Sequence, residues 1–497
     1  MSSESHREGR FPVRVTDRLA ELGEAVLFEY AGREVTAAQT LSLVRRVTAA
    51  LLRAGTEPGD GVALMTGVTP TAFAANLAAH VVGARVSGVR PGLTEGQLAY
   101  LLDERIRYAL TDATTATEIV LRTRPDLVLI DLEQLADTEE QDLAPRGRPE
   151  DVARVTYTSG STGNPKGCAQ TYAGVSADWP SRIELHSPAI RDLGSRLDRY
   201  LLHGTLSSQV MLDYAFLSMH HGEGGSGGRL IIPTEDAPFP ELVAKHRITG
   251  SILPVPRLLA LMAAVRDGSA DASSLRGLMV SGSPLDPHRY AEAQELLGPI
   301  VFQGYGQSET GLVSMLTPAE ALASPNAMTS VGRPLPRNQV ETREGEIYLK
   351  TPQQTIGYVN EGDILNEQPD VYLEDGWIRS RDLGGLDEQG FLHLEGRARD
   401  VIIVNANVYY AGPIERALAE HPLVDSAYVV GEPDEVTGEA IHAFVVLRST
   451  TEIIDEELRQ VVAERLGQAS VPQSFTVIEQ IPLTPGGKPD KKVLRRA

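Results

Sequence analysis

Hydrophobic and polar positions in the first third of the chain alternate between helical and strand-like spacing. Thr36 and Gln39 have the spacing of a capping box, and leucines and valines recur after them at helical intervals, which predicts a capped amphipathic helix. A second helix is predicted over about 70–83, and the short apolar runs Val62–Met65 and 84–89 predict buried strands. Strands that alternate with helices in this way predict parallel sheets within an α/β fold.

After residue 136 the regular alternation of strands and helices gives way to other patterns, and the chain ends in a predicted compact α+β unit. A polar segment at 137–149 predicts a solvent-exposed connector, and 345–349 predicts a strand of a small barrel, followed by a turn at Gly357 and Tyr358. The C-terminal unit is predicted to contain a helix at about 413–420, strands at 426–430 and 441–447, and a helix at about 456–466.

Composition and charge narrow the classes of function. A chain of 497 residues suggests about three domain-sized units. Its net charge of −21 argues against nucleic-acid and anionic-membrane binding. The polar N-terminus lacks an apolar run, so we expect no signal peptide. Polar residues interrupt the apolar stretch 72–89, which predicts a buried helix and not a membrane span. The single cysteine, Cys168, excludes an intrachain disulfide and fits a cytoplasmic protein, in which we expect it to be a buried packing residue.

A loop rich in glycine and hydroxyl residues follows the predicted strand Val155–Tyr157. Glycine lets backbone N–H groups approach a ligand closely, hydroxyls add donors and lysine adds positive charge, so the loop suits a polyphosphate anion. Its spacing differs from that of a Walker A loop, and a flexible linker is the structural alternative. The candidate residues of the loop are Thr158, Ser159, Gly160, Ser161, Thr162, Gly163 and Lys166.

Two further predicted strand ends carry glycine, hydroxyl and carboxylate residues. Ligands of doubly wound sheets bind at such carboxyl ends. Tyr305 offers a flat face for a purine, and Ser308 and Glu309 offer hard oxygens for Mg²⁺. The candidate residues of the two strand ends are Ser281, Gly282, Ser283, Gly304, Tyr305, Gly306, Ser308 and Glu309.

These motifs, in this order, resemble those of the adenylate-forming superfamily, which includes acyl-CoA synthetases, nonribosomal-peptide adenylation domains and luciferases. The resemblance covers nearly the whole chain and extends to 380–384, 396–397 and the C-terminal run 482–488. It implies ATP and Mg²⁺ as ligands, with Glu309 on the metal. The catalytic residues that it implies are Lys488, Glu309, Thr158 and Lys166. The other positions that it implies are Asp382 at the ribose hydroxyls, Arg397 at ribose or phosphate, Arg399 at the hinge, and Ser208 and Gly311 in the acyl pocket.

The resemblance also implies an architecture and a reaction. Residues 1–397 are expected to form a large adenylation domain of two stacked α/β subdomains and a small β-barrel. Residues 398–497 are expected to form a small, mobile α+β domain that carries the catalytic lysine. The implied reaction joins a carboxylic acid to ATP, giving an acyl-AMP and pyrophosphate, and then transfers the acyl group to an acceptor.

The acceptor stays open between a thiol and an amine. Superfamily members that use coenzyme A often carry Gly-Gly after the hinge strand, whereas this chain has Asn405 and Ala406, whose side chains narrow a passage that glycine leaves open. We expect a thiol, coenzyme A or carrier-protein pantetheine, with an amine as the alternative. A non-catalytic nucleotide-binding protein on the same fold is a further alternative. The motifs do not specify the acid, and neither nucleic acid nor membrane is an expected partner.

Overall fold

The structure, a computed structural model, describes residues 10–495 apart from 91–92, 116, 159–165, 207–208, 284, 361–362, 366–369, 399, 406, 435, 449–452 and 484–488. Elements are numbered in chain order. The strands are β1 Val26–Tyr30, β2 Arg33–Thr36, β3 Gly61–Met65, β4 Arg85–Gly88, β5 Ile106–Thr111, β6 Val128–Asp131, β7 Val152–Thr158, β8 Lys166–Thr171, β9 Arg199–Leu201, β10 Arg229–Ile232, β11 Gly250–Leu253, β12 Gly277–Val280, β13 Val301–Gln307, β14 Gly311–Leu316, β15 Arg333–Pro334, β16 Gln339–Arg343, β17 Glu346–Lys350, β18 Gly357–Asn360, β19 Asp363–Leu365, β20 Ile378–Leu386, β21 Leu392–Arg397, β22 Val401–Val404, β23 Asn407–Tyr410, β24 Val424–Asp434, β25 Gly438–Leu447 and β26 Ser474–Val477.

The helices occupy most of the connections between strands. They are α1 Val13–Leu22, α2 Ala37–Arg53, α3 Pro70–Val81, α4 Glu95–Leu101, α5 Thr117–Thr123, α6 Tyr172–Ala177, α7 Pro188–Gly194, α8 Gln209–His221, α9 Phe239–His246, α10 Val255–Arg266, α11 Pro287–Leu297, α12 Pro318–Ala323, α13 Pro325–Met328, α14 Ala411–Ala419, α15 Asp455–Leu466 and α16 Lys491–Leu494. None of those described is long and apolar enough to cross a membrane.

Two large mixed sheets form the body of the protein. Within the described ranges, nine strands form the first sheet in the order β15-β14-β13-β12-β11-β9-β10-β1-β2, and eight form the second in the order β19-β18-β8-β7-β4-β3-β5-β6. The strands from β13 to β1 pair in parallel, as do β7, β4, β3, β5 and β6, and antiparallel strands complete the edges. This is the α/β architecture that the alternating pattern predicts.

One hydrophobic cluster contains buried residues of both large sheets and of α3. Every residue of α3 except Thr71 is buried. A helix that is buried on all sides needs mostly apolar residues around its whole circumference, as α3 has. The Phe73 ring of α3 meets Phe28 of β1 edge-on at 5.3 Å and Phe216 of α8 at 5.8 Å. Burial of this apolar surface is the main force that holds the two sheets together.

A smaller antiparallel sheet, in the order β16-β17-β20-β21, lies against the edge of the first sheet where the sequence predicts the small barrel. The two sheets are joined next to Gly332, because the Leu392 N–H donates to the Gly332 carbonyl at 2.9 Å and the Val331 N–H donates to the Leu392 carbonyl at 2.8 Å. The segment Val331 and Gly332, just before β15, is therefore tied by backbone hydrogen bonds to β21 of the small sheet.

The C-terminal unit has its own sheet and its own core. Strands β23, β22, β25 and β24 form the sheet, with β26 beside β25, and the associated hydrophobic cluster consists of residues between 402 and 475. Lys491 of α16 is anchored inside this unit, with Nζ 2.7 Å from Glu415 and 3.2 Å from Asp400. Arg289 of α11 contacts the unit from outside and donates to the Asp425 carbonyl at 2.8 Å.

Several local predictions are confirmed. Thr36 Oγ1 accepts from the Gln39 N–H at 3.1 Å, and Gln39 Oε1 accepts from the Thr36 N–H at 2.9 Å, so the capping box of α2 is present. The predicted second helix is α3, and the predicted strand Val62–Met65 lies within β3. Cys168 is buried, at 1% exposure, as expected of a packing residue.

The predicted turn at Gly357 and Tyr358 is wrong. Both residues lie in β18, where Tyr358 pairs with Cys168 of β8 in the second sheet. The short apolar segment carries no local strand signal, and its extended conformation depends on a partner strand far away in sequence.

Gly332 and Gly345 form a matched pair that tests how closely the backbone before β15 packs against β14. Their φ angles are +82° and +81°, a conformation that costs an L-residue about 1–2 kcal/mol. A Cβ on Gly332 would lie 2.0 Å from the Met315 carbonyl carbon, whereas a Cβ on Gly345 would have no atom within 4 Å. We expect Gly345→Ala to lower the melting temperature by a few degrees and Gly332→Ala to lower it far more or to prevent folding. Equal shifts in thermal unfolding would contradict this account.

Candidate functional site

Two groups of residues that are predicted to bind the nucleotide lie at one edge of the first sheet. Strands β9, β11, β12 and β13 run parallel and in this order, so their carboxyl ends lie at the same edge. Ser281, Gly282 and Ser283 directly follow β12, and the Ser281 N–H donates to the Leu253 carbonyl at the end of β11 at 3.3 Å. Gly282 has φ +92°, which favours glycine. This segment therefore lies beside the end of β13, which contains Tyr305.

Asp382 is the buried centre of a hydrogen-bond network between β13 and the small antiparallel sheet. Its carboxylate, 4% exposed, accepts from the Tyr305 hydroxyl at 2.7 Å and from the Gln307 side-chain amide at 2.7 Å. Arg397 lies opposite Asp382 in the sheet and forms an ion pair with it, Nε to Oδ1, at 3.1 Å. A buried carboxylate requires such partners. The structure thus brings together Tyr305, Asp382 and Arg397, three residues that the motifs single out.

Tyr305 is held by packing as well as by Asp382. Burial, together with the Asp382 charge, raises the pKa of the Tyr305 hydroxyl well above its ordinary value, so the hydroxyl is a donor at neutral pH. The neighbouring Gly304 packs closely against Met279, since a Cβ there would lie 2.4 Å from its Cε atom and would force that side chain to move. The ring is 8% exposed, and its role as a face for a purine stays a prediction.

Glu309 lies at the tip of the hairpin between β13 and β14. The tip is tight, because a Cβ on Gly306 would lie 2.2 Å from the Gly311 carbonyl oxygen, and Gly311 has φ +68°. The Thr355 N–H and hydroxyl donate to the Glu309 carbonyl at 2.8 Å and 3.1 Å. Ser308 is exposed at the same tip. Two backbone constraints therefore fix the direction in which the Glu309 side chain leaves the sheet.

One tyrosine brings two charged candidates together. The Tyr358 hydroxyl donates to Glu309 Oε1 at 2.6 Å, and Lys166 Nζ lies 5.1 Å from the centroid of the Tyr358 ring. Lys166 begins β8, the strand beside β18, which carries Tyr358. Burial, with the Glu309 charge, raises the pKa of Tyr358 above its ordinary value, which keeps the hydroxyl protonated as a donor. The second sheet thus supplies a lysine and the first sheet a carboxylate to one place.

The glycine-rich loop connects β7 to β8, and Thr158 at its start pairs with Lys166 at its end. Eight candidate residues lie outside the part of the chain that the structure describes, and their roles stay predictions: Ser159, Gly160, Ser161, Thr162, Gly163, Ser208, Arg399 and Lys488.

The described residues contain no cluster of three or more histidine, cysteine, aspartate or glutamate side chains that could hold a metal ion. Glu309 Oε1 is engaged by Tyr358, and Oε2 accepts no hydrogen bond from the described residues. A cation at this carboxylate would therefore share its coordination shell with ligand oxygens and water, which is the usual state of Mg²⁺ beside phosphates.

Sequence reasoning missed a pair of residues at the same sheet edge. Arg257, in the first turn of α10, places its Nη1 atom 2.8 Å from Nδ1 and 3.0 Å from Nε2 of His203, which follows β9. The only signal in the sequence is that each residue closely follows a short apolar run. Nothing in that pattern indicates that the two side chains meet.

Asn405 occupies the tip of the hairpin between β22 and β23, with φ +51°. Asparagine tolerates this left-handed conformation better than most residues. The Asn405 N–H donates to the Thr437 carbonyl at 2.9 Å, and the Asn407 side chain donates to the Asn405 carbonyl at 3.1 Å. Two hydrogen bonds and a left-handed backbone conformation thus hold Asn405 in a tight turn, and its correspondence to a glycine of related enzymes stays a prediction.

Comparison with known proteins agrees with these motifs. Residues 15–359 match the family model described as AMP-binding enzyme, and residues 413–488 match the model for the C-terminal domain of AMP-binding enzymes. The chain is 32% identical over 378 residues to a medium/long-chain-fatty-acid–CoA ligase of Mycobacterium tuberculosis, in an alignment that covers 70% of this chain and 61% of that protein.

Two further relatives match nearly end to end. The chain is 28% identical over 493 residues to a fatty acid–[acyl-carrier-protein] ligase of Streptomyces coeruleorubidus, covering 95% of this chain and 92% of that protein. The solved structure of an amide bond synthetase from Marinactinospora thermotolerans superposes with a TM-score of 0.84 at 30% identity, covering 97% of this chain and 98% of the other. The chain therefore belongs to the AMP-binding enzyme family, the adenylate-forming superfamily whose motifs its sequence carries.

Proposed function

We propose that this AMP-forming acid ligase activates a carboxylic acid with ATP as an acyl-AMP, releases pyrophosphate and passes the acyl group to an amine. The observation that carries the proposal is the meeting of Lys166 and Glu309 on Tyr358, next to the network of Tyr305, Asp382 and Arg397. Lys166 and Glu309 suit the phosphates of a nucleotide, and Asp382 suits its ribose.

Attack of a carboxylate on the α-phosphate brings two anions together and releases a third. A site for this step must therefore neutralise negative charge. In the proposal, Lys166 carries positive charge at the end of the glycine-rich loop, and Glu309 offers Oε2 to a cation while Tyr358 holds Oε1. Mg²⁺ bound there would screen the phosphate charges. Carboxylate, hydroxyl and phosphate oxygens are the donors that this ion prefers.

The proposed ribose site is Asp382. A carboxylate that accepts two hydroxyl hydrogen bonds is a strong anchor for a ribose. Arg397 is half-exposed beside it, with a side-chain exposure of 62%, and is able to turn toward a phosphate. The Tyr305 and Gln307 donors on Oδ2 keep the carboxylate in one orientation, so that Oδ1 faces the more open side with Arg397.

An amine acceptor is supported by the hairpin tip and by one relative. Asn405 adds a side chain where glycine would leave a passage for a pantetheine arm, and its hydrogen bonds hold the turn in place. One relative of known structure, which superposes with a TM-score of 0.84 at 30% identity, is an amide bond synthetase. An amine needs only an open pocket beside the acyl-AMP.

A thiol acceptor is the second candidate. It is supported by relatives that are a CoA ligase and an acyl-carrier-protein ligase, the second of which matches this chain over 95% of its length. The cytoplasm is the proposed compartment for either reaction, in keeping with a single, buried cysteine.

We further propose that residues 398–497 act as a separate domain that delivers Lys488 to the nucleotide. The separate hydrophobic cluster of this unit and the separate family model for residues 413–488 support the division. The sequence around Lys488, with two prolines and two glycines before it, is that of a lysine held on a rigid turn.

Tyr358→Phe should raise the Mg²⁺ concentration needed for half-maximal pyrophosphate release about tenfold, because a hydrogen bond to a charged group contributes about 1.5 kcal/mol. Glu309→Gln should raise it further. Tyr372→Phe is the matched control, since Tyr372 packs on Tyr358 at 5.3 Å but bonds to Thr355 and not to the Glu309 carboxylate. Equal effects of the two tyrosine variants would show that the Tyr358 hydrogen bond to Glu309 has no specific part in binding Mg²⁺.

Lys488→Ala should slow acyl-AMP formation by about 3–4 kcal/mol in activation free energy, comparable to the loss of a transition-state donor. Transfer from preformed acyl-AMP should remain close to that of the unmodified enzyme. Single-turnover assays of each half-reaction measure the two effects separately. Equal loss of both half-reactions would rule out the proposed delivery of Lys488.

The acceptor is identified by the product. We expect purified enzyme with ATP and an accepted acid to form an amide with an amine, and no thioester with coenzyme A or a holo carrier protein, as measured by mass spectrometry. Thioester without amide would establish the second candidate. Asn405→Gly then tests the passage, because it should leave amide formation unchanged and introduce measurable thioester formation. ATP binding without pyrophosphate release for any acid would instead indicate a nucleotide-binding protein.

A further inference from the structure

The Arg257 guanidinium, at the carboxyl edge of the first sheet, has no counter-charge among the residues that the structure describes. Arg257 is half-buried, and its contacts among the described residues are the His203 ring and the Phe239 ring, whose centroid lies 6.0 Å from the guanidinium carbon. The described residues supply no carboxylate to Arg257. Burial alone lowers the pKa of this guanidinium below its ordinary value.

The contact with His203 does not neutralise Arg257. Burial, followed by the Arg257 charge, lowers the pKa of His203 to about 4, so the imidazole is neutral at physiological pH. A neutral ring nitrogen accepts a hydrogen bond but carries no negative charge. Ser207 and Ser208, the undescribed residues that follow His203 closely in sequence, have no ionisable side chain.

Arg196 shows how another arginine that lies over an aromatic ring is neutralised by an acidic residue. Arg196 also lies over an aromatic ring, with its guanidinium carbon 5.1 Å from the Phe302 centroid, but it forms an ion pair with Asp192 at 2.9 Å. Acidic residues outnumber basic ones, 67 to 46. A partly buried cation that lacks one of them is costly unless a ligand supplies the anion.

The position of Arg257 relates it to the candidate site. His203 follows β9 and Arg257 follows β11, so both lie at the edge that also carries Ser281 and the end of β13. β11, which Arg257 follows, is separated from β13 by one strand, so the ends of the two strands lie two strand spacings, or roughly 10 Å, apart. A small organic acid is long enough to extend over this distance.

We infer that Arg257, seated on His203, recognises a second acidic group on the carboxylic acid substrate, so that the enzyme selects dicarboxylic acids over monocarboxylic acids of the same size. The inference rests on the proposed function and names the substrate class of the same site. One carboxylate of the substrate reacts at the nucleotide, and the other forms a charge-assisted, bidentate pair with the guanidinium. His203 accepts from Nη1 and leaves the rest of the guanidinium fork for the ligand.

The experiment compares matched acids that differ only in the second charge. Glutarate, adipate and terephthalate are each paired with their half-amides, and kcat/KM for pyrophosphate release is measured for every member. We expect at least one pair in which the diacid exceeds its half-amide tenfold or more. Arg257→Met should lower the diacid value to that of the half-amide and leave the half-amide unchanged, and Arg257→Lys should retain part of the preference. Arg196→Met, the matched control, should preserve the full ratio.

Two results would overturn the inference. One is an enzyme that accepts half-amides or other monocarboxylic acids as well as it accepts the diacids. The other is an Arg257→Met variant, folded as judged by its melting temperature, that loses activity equally on both members of each pair, since that pattern belongs to a packing residue.

Failure of the proposed function is distinguished by a binding measurement. The same acids are added to the enzyme with a non-hydrolysable ATP analogue, and the melting temperature is recorded. A diacid that stabilises the unmodified enzyme but not Arg257→Met, while its half-amide stabilises neither, supports the inference even where no acid is turned over. The absence of stabilisation by every diacid, together with the absence of turnover, contradicts it.

Discussion

The buried carboxylate of Asp382 is the contact on which the arrangement of the candidate site depends. Its donors come from two different sheets, with Tyr305 and Gln307 on β13 and Arg397 on β21. The carboxylate therefore fixes the edge of the large sheet against the small one, and the hairpin that carries Glu309 begins directly after Gln307. Without the carboxylate, the buried Tyr305 hydroxyl would have no acceptor. An unsatisfied buried donor lowers the free energy of unfolding by more than the net contribution of one hydrogen bond, because its desolvation is no longer offset.

What could be predicted from the sequence is what neighbouring residues determine. The capping box of Thr36 and Gln39 needs residues three positions apart, and the buried helix α3 is visible in twelve consecutive positions. The tight tip at Glu309 is likewise indicated by glycines within a few residues. The order of these motifs was enough to indicate the superfamily, and the family match from 15 to 359 bears that out.

What could not be predicted depends on contacts between distant segments. Tyr358 lies in a strand only because β8 pairs with it, and its hydroxyl reaches Glu309 across the boundary between two sheets. The meeting of His203 with Arg257 likewise depends on the order of the parallel strands, since both follow neighbouring strands of the sheet. Local composition carries no information about that order, so the sequence did not indicate that these side chains meet.

The anchor at Lys491 has a mechanical consequence for the C-terminal lysine. Lys491 is tied to Glu415 and Asp400 and stands three residues after Lys488. Three residues of chain span at most roughly 11 Å, so the Lys488 backbone lies within that distance of a residue that is fixed to the C-terminal unit. In the proposed mechanism, the position of the whole unit therefore determines where the Lys488 side chain can act.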